Sequence, residues 1–189
     1  ALLQRGANIR KVDAPDLRTV AHLYFGLLSA EGSMRAFRSQ LGAEAPVPEY
    51  RQLLLLSRIP GWLRPPLAWL LERLGQRRPA DLLRHTGKIA VFRYLQLLRQ
   101  RRQLQAQWRT WMREQNLDAL LLPATALPAF RHGGSQELTP SCVYTFWANV
   151  LECAAGVAPW TTVRSTECRY DSAHTDRWTA AAAHTVAGA

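Results

Sequence analysis

Lysine is almost absent from this sequence. Twenty-two of the twenty-four basic residues are arginine, and only Lys11 and Lys88 are lysine, so guanidinium groups carry the formal charge of +10. Such an excess fits nucleic acid, an anionic lipid surface or an arginine-biased proteome. The arginines are spread among leucines in helical segments and are not gathered in an aromatic-rich patch. This distribution argues against nucleic acid as the partner.

Cysteine is scarce as well. Cys142, Cys153 and Cys168 are odd in number, and none belongs to a Cys-x-x-Cys pair. This pattern favours free thiols in a reducing compartment over a disulfide framework. The five histidines lack a His-x-x-x-His spacing, and no Gly-x-Ser-x-Gly elbow is present. We therefore assign no metal ligand and no catalytic residue within the chain.

An apolar run long enough to cross a bilayer is also missing. A span needs roughly 20 uninterrupted apolar residues, and the richest stretch, residues 53–74, is broken by charges and by two proline-containing turns. The sequence Pro60-Gly61 reads as a corner, because proline fixes φ and glycine permits unusual backbone conformations. We predict two short helices, about 49–58 and 65–74, joined by a corner that carries Trp62.

This helical pair has two interpretations. Apolar residues at helical spacing usually pack into a core, so an ordinary leucine-rich core hairpin is one. The other is a membrane-docking cap over residues 49–78, because the segment holds six arginines against two glutamates. Amphipathic helices with tryptophan and arginine are typical of a membrane interface, where each basic group contributes about 1 kcal/mol.

The rest of the chain predicts an α/β fold, helix-rich with a few strands of a central mixed sheet. Residues 7–12, 119–122 and 157–163 read as strands, the second buried on both faces. Asp13 is the predicted cap of a helix with Pro15 at an early position. The remaining predicted helices are residues 79–116, 143–155 and 178–184. The first of these carries a heptad-like apolar seam, and Arg99, Arg101 and Arg102 are predicted to lie on its solvated face.

The 189 residues suit one domain or part of a larger one. The chain begins ALLQRG and ends HTVAGA in mid-pattern. We expect a piece of a longer chain, in which residues 1–189 form the C-terminal portion of a single domain.

Several segments resemble the amidase-signature family, most closely its fatty-acid amide hydrolase branch. Residues 117–124 (LDALLLPA) are similar to the family's Leu-Asp-x-Leu-Leu-x-Pro strand, and residues 155–163 (AGVAPWTTV) to the branch's Ala-Gly-Val-x-Pro-x-Thr-Thr-Val segment. Residues 26–32 (GLLSAEG) look like a segment that helps wall the acyl-chain channel. Residues 53–74 resemble the branch's membrane cap. Further matches are Tyr144-Thr145, Asn149, Tyr170, Asp176 and Trp178.

The resemblance implies a serine amidase that hydrolyses lipid amides with a Lys–Ser–Ser triad and no cofactor. Neither Lys11 nor Lys88 stands in the required context, so no catalytic residue carries over and we expect this chain alone to be inactive. The implied partners are a lipid amide, a membrane surface, the missing N-terminal half and a possible second copy. The implied location is intracellular and peripheral to a membrane, with an endomembrane favoured.

Two groups of candidate site residues follow from the resemblance. The substrate-channel candidates are Leu28, Leu53, Leu54 and Leu56. The membrane-contact candidates are Trp62, Leu63, Leu67, Trp69, Leu70, Arg58 and Arg64. Two alternatives remain open: a soluble amidase acting on small amides, or a basic helical module that binds lipid or nucleic acid.

Overall fold

The structure is a computed structural model that describes residues 3–13, 16–32, 34–130, 134, 138–159, 162–167, 169–170, 172–173 and 176–187. Over these residues the regular structure is helical. The helices are α1 (Leu17–Leu28), α2 (Arg35–Leu41), α3 (Pro48–Ser57), α4 (Arg64–Arg73), α5 (Arg77–His85), α6 (Val91–Glu114), α7 (Val143–Leu151) and α8 (Arg177–Ala187). Short 3-10 turns occupy Leu3–Arg5, Gly61–Leu63, Thr139–Cys142 and Ser165–Glu167.

The main core lies between α1, α6 and α7. Each of these helices turns an apolar stripe inward, and the buried residues are Val20, Leu23, Leu97, Phe146, Trp147, Val150 and Leu151. The ring of Tyr24 stacks on Phe146 with centroids 4.1 Å apart, and Trp108 meets Trp147 edge-on at 4.8 Å. Such aromatic pairs add to the stabilisation that comes from burial alone.

Asp16, and not the predicted Asp13, caps α1. Its side chain accepts hydrogen bonds from the backbone N–H groups of Arg18 and Thr19, which satisfies two of the donors that a helix N-terminus leaves free. Pro15 lies outside the described residues.

The predicted central sheet is wrong for the residues that the structure describes. The segments 7–12, 119–122 and 157–159 with 162–163 are irregular there, and Leu121 and Val157 are 71% and 76% exposed. A strand needs a neighbour to pair its backbone N–H and C=O groups, and none of these segments lies in a ladder with another. The strands were predicted from apolar content, which does not show whether a segment has a neighbouring strand to pair with.

The long helix predicted over residues 79–116 is two helices. Gly87 lies between α5 and α6 with φ +108°, a conformation that a helix cannot continue and that glycine adopts without steric cost. The break lets α5 turn away from α6 and pack on α4.

The two predicted helices of the cap are present as α3 and α4, but they do not form the predicted hairpin. The extensive packing of α4 is with α5, and α3 takes no part in the larger helix contacts among the described residues. The short loop 74–76 joins α4 to α5, and Gln76 N–H donates to Leu71 O at 2.8 Å. The packed pair is therefore α4–α5.

Candidate functional site

One face of α4 and its preceding turn carries large apolar side chains into solvent. At 100° per residue, Pro66, Trp69, Leu70 and Arg73 lie on the same side of α4, and Trp62 lies in the 3-10 turn directly before the helix. Trp62 is 76% exposed and Trp69 55%, and the Arg73 guanidinium lies 4.8 Å from the centroid of the Trp69 ring. We call these five residues the tryptophan face. Exposed apolar groups gathered in this way mark an interaction surface.

The opposite face of α4 is buried. Ala68 is fully buried and Arg64 is 9% exposed. The Arg64 guanidinium donates to Ile59 O at 3.2 Å and to Thr86 O at 2.7 Å. Burial lowers the pKa of Arg64 below its ordinary value. These hydrogen bonds connect the start of α4 to the end of α5 and keep the tryptophan face on the exposed side of the pair.

Gly87 makes room for this arginine. A Cβ atom at Gly87 would lie 2.3 Å from Cζ of Arg64, closer than non-bonded atoms approach. The residue that breaks the predicted long helix thus also admits the buried guanidinium. The orientation of the tryptophan face depends on that one backbone position.

The predicted membrane-contact residues divide into three sets by exposure. Trp62, Trp69, Leu70 and Arg58 are exposed, and Leu63 and Leu67 are half-buried. Arg64 is buried and bonded within the protein, and we leave it out of the proposed contact surface.

The predicted channel residues lie in α1 and α3. Leu28, at the end of α1, is 65% exposed, and Leu56 of α3 is 47% exposed. Leu54 is half-buried, and the side chain of Leu53 lies outside what the structure describes. The cleft beside α1 is lined by other residues.

That cleft lies between α1, α5 and α6 and has a volume of about 430 Å³. Its floor is apolar, with Leu23, Ile89, Leu97 and Leu104, and its rim is polar. His22 and His85 belong to its wall. The cleft is open to solvent and is not the channel predicted from the sequence.

His22, Asp81 and His85 form a cluster at this wall. The two imidazole rings stack with centroids 3.6 Å apart and an interplanar angle of 4°. His22 Nε2 lies 2.8 Å from Asp81 Oδ2, and His85 Nδ1 donates to Asp81 O at 2.8 Å. One potential ligand atom from each of the three residues lies within 4.8 Å of the others.

The carboxylate of Asp81 is held in its charged form. Burial alone would raise its pKa, but hydrogen bonds and charge from Arg18 and His22 bring the pKa below the ordinary value. Arg18 Nη2 lies 3.0 Å from Asp81 Oδ1. The cluster therefore combines one carboxylate with two imidazoles beside open space.

This cluster was not predicted from the sequence. Asp81 and His85 are four residues apart in a helix and hence on one face, a spacing that a search restricted to histidine pairs overlooks. His22 is 59 residues from Asp81 along the chain. Only the packing of α1 on α5 brings it into contact.

Comparison with known proteins decides the family. The model of the family described as Amidase matches residues 1–177. The chain belongs to the amidase family. The predicted amidase resemblance is thereby confirmed, and a curated relative points to the predicted branch: fatty acid amide hydrolase 1 of Caenorhabditis elegans is 26% identical over 172 residues, 87% of this chain.

This amidase chain spans about 29% of the length of that relative. Among its described residues, no helix combines the length and the apolar character that crossing a bilayer requires. Cys142 and Cys153 are free thiols, and Cys168 lies outside the described residues.

Proposed function

We propose that this chain is the membrane-facing part of an amidase that hydrolyses fatty-acid amides to a fatty acid and an amine. The Lys–Ser–Ser triad is supplied by residues other than 1–189. A fatty-acid amide partitions into a bilayer, so an enzyme docked there meets its substrate without drawing the acyl chain through water. The relative's name, fatty acid amide hydrolase 1, supports this substrate class.

The observation that carries the proposal is the tryptophan face. Full burial of a large apolar side chain contributes about 1.5–3 kcal/mol. Trp62, Trp69 and Leu70 are 76%, 55% and 47% exposed, so each would contribute roughly 1–2 kcal/mol on insertion. Arg73 on the same face would add about 1 kcal/mol at an anionic leaflet. The sum suits reversible docking.

Flotation with vesicles of phosphatidylcholine and a minor fraction of phosphatidylserine tests the docking surface. We expect the unmodified protein to float with the vesicles. The double variant Trp62→Glu/Trp69→Glu should lower the partition coefficient roughly 100-fold, because two apolar contacts are lost and two like charges face the lipid.

The matched control is Leu121→Glu/Val157→Glu, which introduces the same charges at side chains that are 71% and 76% exposed outside α4. This control should float like the unmodified protein. Equal loss of flotation in both double variants would mean that the added negative charge causes the loss, wherever it is placed. If the unmodified protein does not float with the vesicles, membrane docking is contradicted. The remaining hypothesis is then a soluble amidase that acts on small amides.

We further propose that Leu28, Leu53, Leu54 and Leu56 contact the acyl chain. In the full-length enzyme, Leu28→Arg should reduce the ratio of kcat/KM for a long-chain over a short-chain amide, because each buried methylene contributes about 0.8 kcal/mol. An unchanged ratio would remove Leu28 from the channel. Residues 1–189 alone should release no fatty acid.

A further inference from the structure

We propose that His22, Asp81 and His85 bind a divalent transition-metal ion of the zinc class, which links α1 to α5. Two imidazoles and one carboxylate are the ligand set that zinc accepts in three-ligand protein sites. Magnesium and calcium prefer oxygen ligands, so the two nitrogens favour zinc over them.

The separations of the ligand atoms suit the ion. At zinc–ligand distances of about 2.0–2.2 Å, two ligand atoms of a tetrahedral site lie roughly 3.3 Å apart. His22 Nε2 lies 2.8 Å from Asp81 Oδ2, and His85 Nδ1 lies 3.7 Å from the other carboxylate oxygen, Oδ1, so each ring has a nitrogen near this distance from one oxygen of Asp81. With all three ligand atoms within 4.8 Å of one another, small rotations of the rings complete the site.

The surroundings provide what a metal site needs beyond its ligands. Arg18 donates to both oxygens of Asp81 and so orients the carboxylate, as outer residues do in known metal sites. Its side chain is 72% exposed and is free to shift when the ion arrives. The cleft beside His22 and His85 leaves room for water as a fourth ligand.

Formation of the site changes the tautomer of the rings and releases no net proton. To coordinate through Nε2, the His22 ring carries its N–H on Nδ1, so a ring with its N–H on Nε2 gives that proton to solvent and takes one up at Nδ1. Asp81 supplies a charged oxygen. His85 Nδ1 gives up its hydrogen bond to Asp81 O and coordinates through its lone pair, with the ring N–H on Nε2. The parallel stack of the two rings opens as both turn toward the ion.

The experiment is a titration of the full chain, first stripped with a chelator, with Zn²⁺ and separately with Co²⁺. We expect saturable binding, an increase in Tm with Zn²⁺, and the visible absorption of four-coordinate Co²⁺. The double variant His22→Asn/His85→Asn should raise Kd by roughly 100-fold or more and abolish the Co²⁺ spectrum. Mg²⁺ should leave Tm unchanged.

The matched control is His184→Asn, an exposed histidine of α8, which should bind Zn²⁺ like the unmodified protein. A single His85→Asn variant guards against misfolding, because His85 is 37% exposed and packs less tightly than His22; it too should weaken Kd at least ~10-fold. Unchanged affinity in the folded variants, or the absence of saturable binding to the unmodified protein, would overturn the proposal. Neither result bears on membrane docking.

Discussion

Asp176 is the charged side chain that the fold buries most completely among the described residues, at 1% exposed. Arg78 of α5 donates to it twice, with Nε at 2.7 Å from Oδ2 and Nη2 at 2.5 Å from Oδ1. Thr179 N–H donates at 3.0 Å, which makes Asp176 the N-terminal cap of α8. One residue thus fixes α8 to α5.

This arrangement predicts an acid-dependent loss of stability. Burial alone would raise the pKa of Asp176, but the bonds from Arg78 and Thr179 lower it from 3.8 to about 2. Because the folded pKa is depressed, the contribution is complete above about pH 4 and is lost as pH falls through about 2. At 1.36 kcal/mol per pKa unit it amounts to about 2 kcal/mol.

Urea unfolding of the unmodified protein and of Asp176→Asn, followed from about pH 6 down to about pH 2, measures this term. The difference in unfolding free energy between the two proteins should shrink by about 2 kcal/mol over that range. A difference that stays constant with pH would show that the carboxylate contributes only as a neutral hydrogen-bonding group.

Gly87 supports a second prediction at the scale of one residue. Alanine there combines strain at φ +108° with a 2.3 Å approach to the Arg64 guanidinium. Strained backbone costs about 1–3 kcal/mol, and displacing the guanidinium loses hydrogen bonds of about 1.5–3 kcal/mol. We expect Gly87→Ala to lower the free energy of unfolding by about 2.5–6 kcal/mol, measured by urea denaturation.

Gly61→Ala is the control for that measurement, because nothing lies within 4 Å of a Cβ at Gly61. Its effect should stay within about 0.5 kcal/mol. If the two variants lose equal stability, the buried arginine does not depend on the glycine. In that case the orientation of the tryptophan face has another cause.

At the scale of the element, the helices follow from local sequence and the packing partners do not. The corner at Pro60-Gly61 and the helices on either side were predictable because proline and glycine act through nearby backbone. The end of α7 was not: the helix ends at Leu151 and not at the predicted residue 155, and Glu152 follows it with φ +55°. A non-glycine residue in that conformation is costly, and contacts from α6 stabilise it.

Arg101 supplies those contacts from α6. Its Nε donates to Val150 O at 2.9 Å, and its guanidinium pairs with the Glu152 carboxylate. Gln105 Nε2 donates to the same carbonyl at 3.1 Å. The prediction that Arg101 lies on a solvated face with Arg99 and Arg102 is therefore wrong for Arg101, which satisfies the C-terminal carbonyl of α7. The two flanking arginines are exposed.

Replacing Arg101 should loosen α7 from α6. Arg101→Met keeps the apolar stem but removes the donors, so we expect the free energy of unfolding to fall by about 1–3 kcal/mol, measured by thermal or urea denaturation. Arg99→Met makes the same change at an exposed position and should cost less than about 0.5 kcal/mol. Equal losses of stability in Arg101→Met and Arg99→Met would mean that the hydrogen bonds of Arg101 to α7 do not stabilise the protein.

At the scale of the whole molecule, charge and apolar exposure act on the same surface by different physics. In the proposed docking, the formal charge of +10 would attract anionic lipid over a distance that salt shortens to about 10 Å at 0.1 M and about 3 Å at 1 M. The tryptophan face acts only on contact and is not screened. Composition could reveal the first contribution, whereas the second required knowing which side of α4 is buried.

The two contributions predict different responses of vesicle binding to salt. For vesicles that contain phosphatidylserine, raising NaCl from about 0.05 M to about 0.5 M should lower the partition coefficient at least ~10-fold, because the arginine charges are screened. For pure phosphatidylcholine vesicles, binding should be weaker but nearly independent of salt, because insertion of Trp62 and Trp69 involves no counterions. Trp62→Glu/Trp69→Glu should lose the salt-independent binding entirely. If pure phosphatidylcholine vesicles bind nothing even at low salt, the protein attaches through charge alone and the tryptophan face must meet a partner other than lipid.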